Sequence, residues 1–242
     1  MRTAAALVIG NELLSGKIQD RNVMVLAKAL RAAGVQLRRV VMVLDEVETI
    51  AAEVAALSAS HDTVFTSGGV GPTHDDVTIA AVARAFGAGV VPSPDIEAML
   101  RGYYGDRITE GHLAMAKVPE GSRLSRRAGS VWPAIIKENV WILPGVPQIF
   151  AMKMPLVVDE LGTGRGWISL AVCTTLDEGD LKAHLDCVVE AHPHIDIGSY
   201  PTFEDARYRT KLTFDGLDEA AVKLARDALI ARLAPETIVS ID

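Results

Sequence analysis

Apolar positions along the chain fall into blocks whose spacing switches repeatedly between that of a strand and that of a helix. Residues 3–10 form a continuous apolar run of buried-strand length, and Val23, Leu26, Ala27 and Leu30 mark one helix face within residues 21–33. Gly34 ends that helix. A second strand is predicted over 37–44, where Val40 to Val43 are all apolar, then a helix over 46–59 and a third strand over 63–67. Strands alternating with helices in this way build parallel β-α-β units, whose ligands bind outside the carboxyl ends of the strands. Asn11 with Glu12, Asp45 with Glu46, and the segment from Ser67 onward each follow a predicted strand. They are therefore expected to share one rim.

Past a helix predicted over 76–85 the pattern loosens. Ser93, Pro94 and Asp95 open a helix through Tyr103, while 102–111 and 121–129 have the Gly, Ser and Arg content of surface loops. Residues 131–136 and 139–143 predict a strand pair around Lys137 and Glu138, followed by the turn Leu143-Pro144-Gly145-Val146-Pro147 and a helix over 148–161. The Gly-rich run 162–166 is the best linker in the chain, which divides the sequence into a domain over 1–164 and a second over 165–242. Within the second, strands over 167–174, 195–200, 207–214 and 237–241 and helices over 177–190 and 217–233 follow the order β-α-β-β-α-β, the ferredoxin-like unit.

The densest chemistry lies between Thr66 and Thr78. Ser67 leads into Gly68, Gly69, Val70 and Gly71, and glycines let main-chain N–H groups approach an anion closely because no Cβ intervenes and positive φ costs little. A helix beginning near Asp75 or Asp76 would point its positive end at the same place. That makes a phosphate site. Two acids beside it imply a divalent cation or a catalytic task, or else one of them caps the helix and the other is solvated. His74 is an acid-base candidate or a solvated loop side chain. Thr78 either binds phosphate or hydrogen-bonds the preceding turn. Ser15 and Asn22 are placed to contact a base or ribose, and Asp20 to cap the helix that follows.

Composition narrows the partners. A net charge of −7 with no Lys/Arg block argues against nucleic acid, so an anionic ligand needs a local site. No apolar stretch approaches the roughly 20 residues of a membrane span, and the first strand is too soon followed by Asn11 and Glu12 for a signal peptide. A cytoplasmic protein is expected. Cys173 and Cys187 lack metal spacing and are expected as reduced core thiols, and Trp132, Trp141 and Trp167 as core or domain-junction side chains. Arg207, Arg209 and Lys211 alternate along a predicted strand and mark either its wet face or an anion-facing surface.

The motifs Ile9-Gly10-Asn11-Glu12-Leu13-Leu14-Ser15-Gly16, Asp20-Arg21-Asn22, the glycine run through Thr78, and Leu143-Pro144-Gly145-Val146-Pro147, in this order, resemble the MoaB/MogA-like molybdopterin-binding domains. The resemblance is greatest to the amino-terminal domains of CinA and of eukaryotic FAD synthases, and Gly198-Ser199-Tyr200-Pro201 with Arg207 to Leu212 extends it through the second domain. It implies a three-layer α/β/α fold with a mostly parallel sheet and the pocket at the strand ends. It also implies a pterin or nucleotide ligand and a homo-oligomer, with a dimer favoured. In the CinA-like branch it implies divalent-metal-dependent cleavage of a nucleotide pyrophosphate such as ADP-ribose or FAD; adenylyl transfer to molybdopterin and ligand binding without turnover are the alternatives. Asn11 stands where many relatives carry Asp, and neither the CinA amidase domain nor the nucleotidyltransferase domain of FAD synthases matches here.

On this reading the N–H groups of Gly68 to Gly71 hold a phosphate. Asp76 and Glu12 hold magnesium, manganese or cobalt, and Asp45 or Asp75 lies near its bound water.

Overall fold

In a computed structural model, residues 2–127, 132–162, 165–202 and 207–242 are described. The chain divides into two units, Met1–Gly164 and Arg165–Asp242.

The first unit is built on a six-stranded sheet in the order β2-β1-β3-β8-β7-β6. Strands β1 (Arg2–Ile9), β2 (Val35–Val43), β3 (Thr63–Ser67) and β8 (Val140–Leu143) run parallel, and β7 (Ala134–Lys137) and β6 (Arg123–Ser125) continue the sheet antiparallel. β1 is buried almost throughout, as its unbroken apolar run requires of a strand covered on both faces. Alternate β1 residues feed two cores. Ala4 and Ala6 pack with Leu26 and Leu30 of α2 (Asn22–Ala32) and Phe150 and Val157 of α7 (Pro147–Leu161). Ala5, Leu7 and Ile9 pack with Ile50 and Val54 of α3 (Val47–Ser60) and Val82 of α4 (Thr78–Ala85). The result is three layers, with a short α1 (Asn11–Leu14) at the end of β1.

A smaller layer joins β4 (Val90–Pro92) and β5 (Lys117–Pro119) to α5 (Pro94–Tyr104) and α6 (Glu110–Ala114) around Ile96, Leu100 and Val118. Here the expected loops need correction. The stretch 102–111 holds the end of α5, a 3-10 turn over Gly105–Arg107 and the start of α6, and β6 lies inside 121–129. These elements are three to five residues long, too short to show a period. Residues 128–131, including the start of the strand expected over 131–136, lie outside the described residues, as do Thr163 and Gly164 of the expected linker.

In the second unit β9 (Ile168–Thr174), β10 (Asp196–Pro201), β11 (Thr210–Gly216) and β12 (Ile238–Ile241) form an antiparallel sheet in the order β10-β11-β9-β12. With α8 (Glu178–Ala191) and α9 (Glu219–Ile230) this is the ferredoxin-like arrangement. Val172, Leu212, Phe214, Leu181 and Val222 form its core. β11 begins at Thr210, so Arg207 and Arg209 lie before the strand rather than on it; Arg209 faces Asp177 at 3.9 Å. Cys173 is half-buried, whereas Cys187 is exposed and not a core thiol, because α8 turns Leu181 and Val188 inward instead. No helix among the described residues is long and apolar enough to cross a membrane.

Candidate functional site

The carboxyl ends of β1, β2, β3 and β8 open onto a cavity of about 620 Å³ lined by Glu12, Asp45, Ser67 to Thr73, Asp75, Asp76, Pro144 and Gly145, with Asn22 and Asp20 at its side. The three strand ends named from sequence thus meet at one rim.

Gly68 has φ +109°, and a Cβ there would lie 2.2 Å from the Ile9 carbonyl oxygen. Gly69 has φ +64°, and a Cβ would lie 2.3 Å from Thr78 Oγ1. Only glycine allows β3 to turn this closely over β1 and the start of α4. Thr78 is fully buried; its hydroxyl donates to the Gly68 carbonyl at 2.8 Å and its N–H to the Gly69 carbonyl at 3.0 Å. It holds the turn from behind and does not line the cavity.

α4 begins at Thr78 rather than Asp76, and the acids lie in the loop ahead of it. The reason is the use to which Asp76 is put. Its Oδ1 accepts the Gly71 N–H at 2.6 Å and its Oδ2 the Thr73 N–H at 2.8 Å, so the carboxylate closes the loop on itself. The single Thr73 hydroxyl hydrogen lies within reach of both Asp76 and Asp75. This hydroxyl bond is the main cause holding the exposed Asp75 carboxyl below its ordinary value. Gly68 donates its N–H to the Leu143 carbonyl at 3.2 Å. Of the four amides expected to hold an anion, two are therefore already engaged. Those of Gly69 and Val70 have no hydrogen-bond partner among the described residues.

Asn22, at 4% exposure, donates to Ser67 Oγ and to the Gly145 carbonyl, both at 2.8 Å. It fastens α2 to the ends of β3 and β8, a tie that the sequence did not reveal because it spans 45 and 123 residues. A Cβ on Gly145 would lie 3.2 Å from Gly68 Cα, so the Pro-Gly turn seats against the glycine loop. Asp20 Oδ1 accepts the Val23 N–H at 3.0 Å at the start of α2. Ser15 donates to the Glu12 carbonyl and lies outside the cavity lining. His74 is almost wholly exposed.

Asn11 and Asp45 bond reciprocally, Asn11 N–H to Asp45 Oδ2 at 2.8 Å and Asp45 N–H to Asn11 Oδ1 at 3.3 Å, which ties the ends of β1 and β2 together. Asn11 itself does not line the cavity. The Asp45 carboxyl is pushed up from its ordinary value by partial burial and by the charges of Glu12, Asp75 and Asp76, against the lowering effect of the Asn11 N–H. The acids of the rim therefore act on one another electrostatically. Among the described residues, however, no three acidic, His or Cys side chains gather closely enough to hold a metal ion by themselves. Their oxygen-donor chemistry suits a hard cation only if a ligand's phosphate oxygens and water complete its shell.

A doubly wound sheet whose strand ends present a glycine loop, two open amides and a set of acids defines an α/β protein with its pocket at the strand carboxyl ends. The chain belongs to the family described as the probable molybdopterin binding domain, whose model matches residues 5–163; that of the FAD synthase middle domain matches residues 167–242. It is 34% identical over 220 residues to a protein of Archaeoglobus fulgidus, covering 90% of this chain and 92% of that one. With a probable FAD synthase of Caenorhabditis elegans it shares 34% identity over 241 residues, covering 88% of this chain and 46% of the synthase, so the chain spans about half of that relative. A CinA-like protein of Desulfosudis oleivorans is 37% identical over 174 residues, covering 67% of this chain and 42% of that one. The crystal structure titled as the protein CinA with unknown function from Thermoplasma acidophilum superposes with a TM-score of 0.60 at 29% identity, over 66% of this chain and 98% of that one.

Proposed function

We propose that the chain hydrolyses the pyrophosphate linkage of a nucleotide of the ADP-ribose or FAD type. The observation that carries this reading is the pairing of two partnerless amides, Gly69 and Val70, with an acid of raised pKa, Asp45, on one rim. The amides suit one phosphate of a diphosphate. Asp45 suits the proton of an attacking water, because partial burial first, and then its neighbours' negative charge, increase its affinity for protons. As the water oxygen bonds to one phosphorus, the bond from that phosphorus to the bridging oxygen breaks. The bridging oxygen leaves with the electron pair and takes up a proton, giving two phosphate monoesters. Glu12, with the ligand's phosphate oxygens and water, would hold a magnesium, manganese or cobalt ion, which would neutralise charge on the phosphates. Asp76 keeps the loop in shape through its bonds to Gly71 and Thr73.

The test is Asp45→Asn, which keeps an acceptor for the Asn11 N–H. Release of AMP from ADP-ribose and FAD, with each divalent ion in turn, should fall by about 10²-fold or more. Unchanged turnover removes Asp45 from the chemistry. A ligand-binding module is the second reading, favoured by the lack of a preformed chelate among the described residues. Saturable binding with no monoester released would select it.

A further inference from the structure

A second cavity of about 620 Å³ adjoins the first and shares with it the wall from Val70 to Thr73. Its character is different. Tyr103, Tyr104 and Trp132 line it, with Tyr103 set edge-on to Tyr104 at 5.0 Å and to Trp132 at 5.5 Å between ring centroids. Into this apolar wall α7 brings Lys153, only 5% exposed. Its ammonium donates to the Trp132 carbonyl and, at 3.0 Å, to the Pro133 carbonyl, and it has no acidic partner among the described residues. An ammonium carries three N–H donors, and two carbonyls leave one of them, and the charge, unanswered. Burial alone lowers its pKa to about 8, so it remains mostly protonated at neutral pH. A buried cation in such a place needs an acceptor.

We propose that this chamber receives the ring of the ligand whose phosphate lies on the Gly69 and Val70 amides, and that Lys153 selects a planar heterocycle bearing a ring oxo group over one bearing an amino group. The aromatic side chains give a stacking platform for any flat ring. The third N–H of Lys153 gives the discrimination, since a ring carbonyl accepts it while an exocyclic amine turns donor toward donor. This inference rests on the cradle reading above and, of its two substrate types, favours FAD, whose flavin bears ring oxo groups, over ADP-ribose, whose only heterocycle is the amino-bearing adenine.

Inosine monophosphate and AMP carry the same phosphate and nearly the same purine, oxo against amino, and so isolate the effect. Calorimetry on the full chain should show inosine monophosphate binding about tenfold more tightly. Lys153→Met should bring the two to equal affinity with AMP nearly unchanged, and Tyr103→Ala, at an exposed ring, should weaken both about fivefold. Equal binding by the unaltered protein, or a preference that survives Lys153→Met in a folded variant, would overturn the assignment. Inorganic pyrophosphate separates the two levels. If it binds and neither nucleotide binds more tightly, the chamber is not the ring site; if it does not bind, the cradle reading fails and this inference with it.

Discussion

The three helices that leave β2, β3 and β8 begin differently from the other helices of the chain. α3, α4 and α7 follow β2, β3 and β8 with no side-chain cap on their first turns, whereas α1 and α2 are met by Asp45, which accepts the Asn11 N–H, and by Asp20, which accepts the Val23 N–H. α5, α6, α8 and α9 are capped by Ser93, Thr109, Asp177 and Asp218, whose oxygens accept first-turn N–H groups. A side-chain cap contributes about 1 kcal/mol, so its absence has a cost. On the rim the unclaimed N–H groups of Gly69 and Val70 and the uncapped start of α7 border one cavity. The contrast teaches that main-chain donors at the glycine loop and the start of α7 are left open although the carboxylates of Glu12, Asp45, Asp75 and Asp76 stand on the same rim.

The largest effect is expected where the rim has no room. Gly68→Ala places a Cβ against the Ile9 carbonyl at a φ of +109°, and should cost about 3 kcal/mol in denaturant unfolding and abolish pyrophosphate binding. A milder exchange tests the comparison itself. Val146→Asp gives α7, whose N-cap residue is exposed, the cap it lacks. Thermal stability should rise by up to about 1 kcal/mol while anion affinity falls at least fivefold by like-charge repulsion. Removing the cap of α9 in the second unit, Asp218→Ala, should lower stability by about 1 kcal/mol and leave anion binding alone. Equal effects of the two on binding would dissolve the distinction.

The smallest effect concerns Asp62, which receives the Thr3 N–H at 2.7 Å and the Thr3 hydroxyl at 2.8 Å. The Thr3 N–H, then its hydroxyl, hold this carboxyl below its ordinary value of 3.8. Since the folded pKa is the lower one, the stability it adds is present above the unfolded value and is lost as pH falls through the folded value. Acid unfolding of Asp62→Asn should therefore show a slightly shallower pH dependence below about pH 4, with no change in ligand binding.

How much could be read in advance followed the range of the interaction. The segments α3 and β1 were legible because burial of one helix face repeats every few residues in the first, while the second is apolar throughout as a strand covered on both faces. The four-stranded unit was legible for the same reason, and so was the meeting of Glu12, Asp45 and the glycine loop, since strand order alone brings strand ends together. The start of α4 was not. An acid ahead of an apolar run looks like a cap, and only the folded loop shows Asp76 turned back on Gly71 and Thr73. Ser15, Asn11 and Thr78 were near the right place in sequence but face away from the cavity or support it from behind. Tyr103, Trp132 and Lys153 carried no local sign of a shared chamber, because they come from three separate elements.

By itself the sequence determined the alternation of strands and helices, the glycines that permit a tight turn after β3, and the acids that follow β1 and β2, because each depends on residues close together in the chain. Tertiary structure decided which donors remained unclaimed. Gly68 gives its N–H to Leu143 across the sheet, Asn22 ties three segments together, and Lys153 meets two carbonyls from another strand's approach. A hydrogen-bonding group becomes available to a ligand only when no nearer partner takes it, and for these groups the nearest partners are brought in by distant parts of the chain.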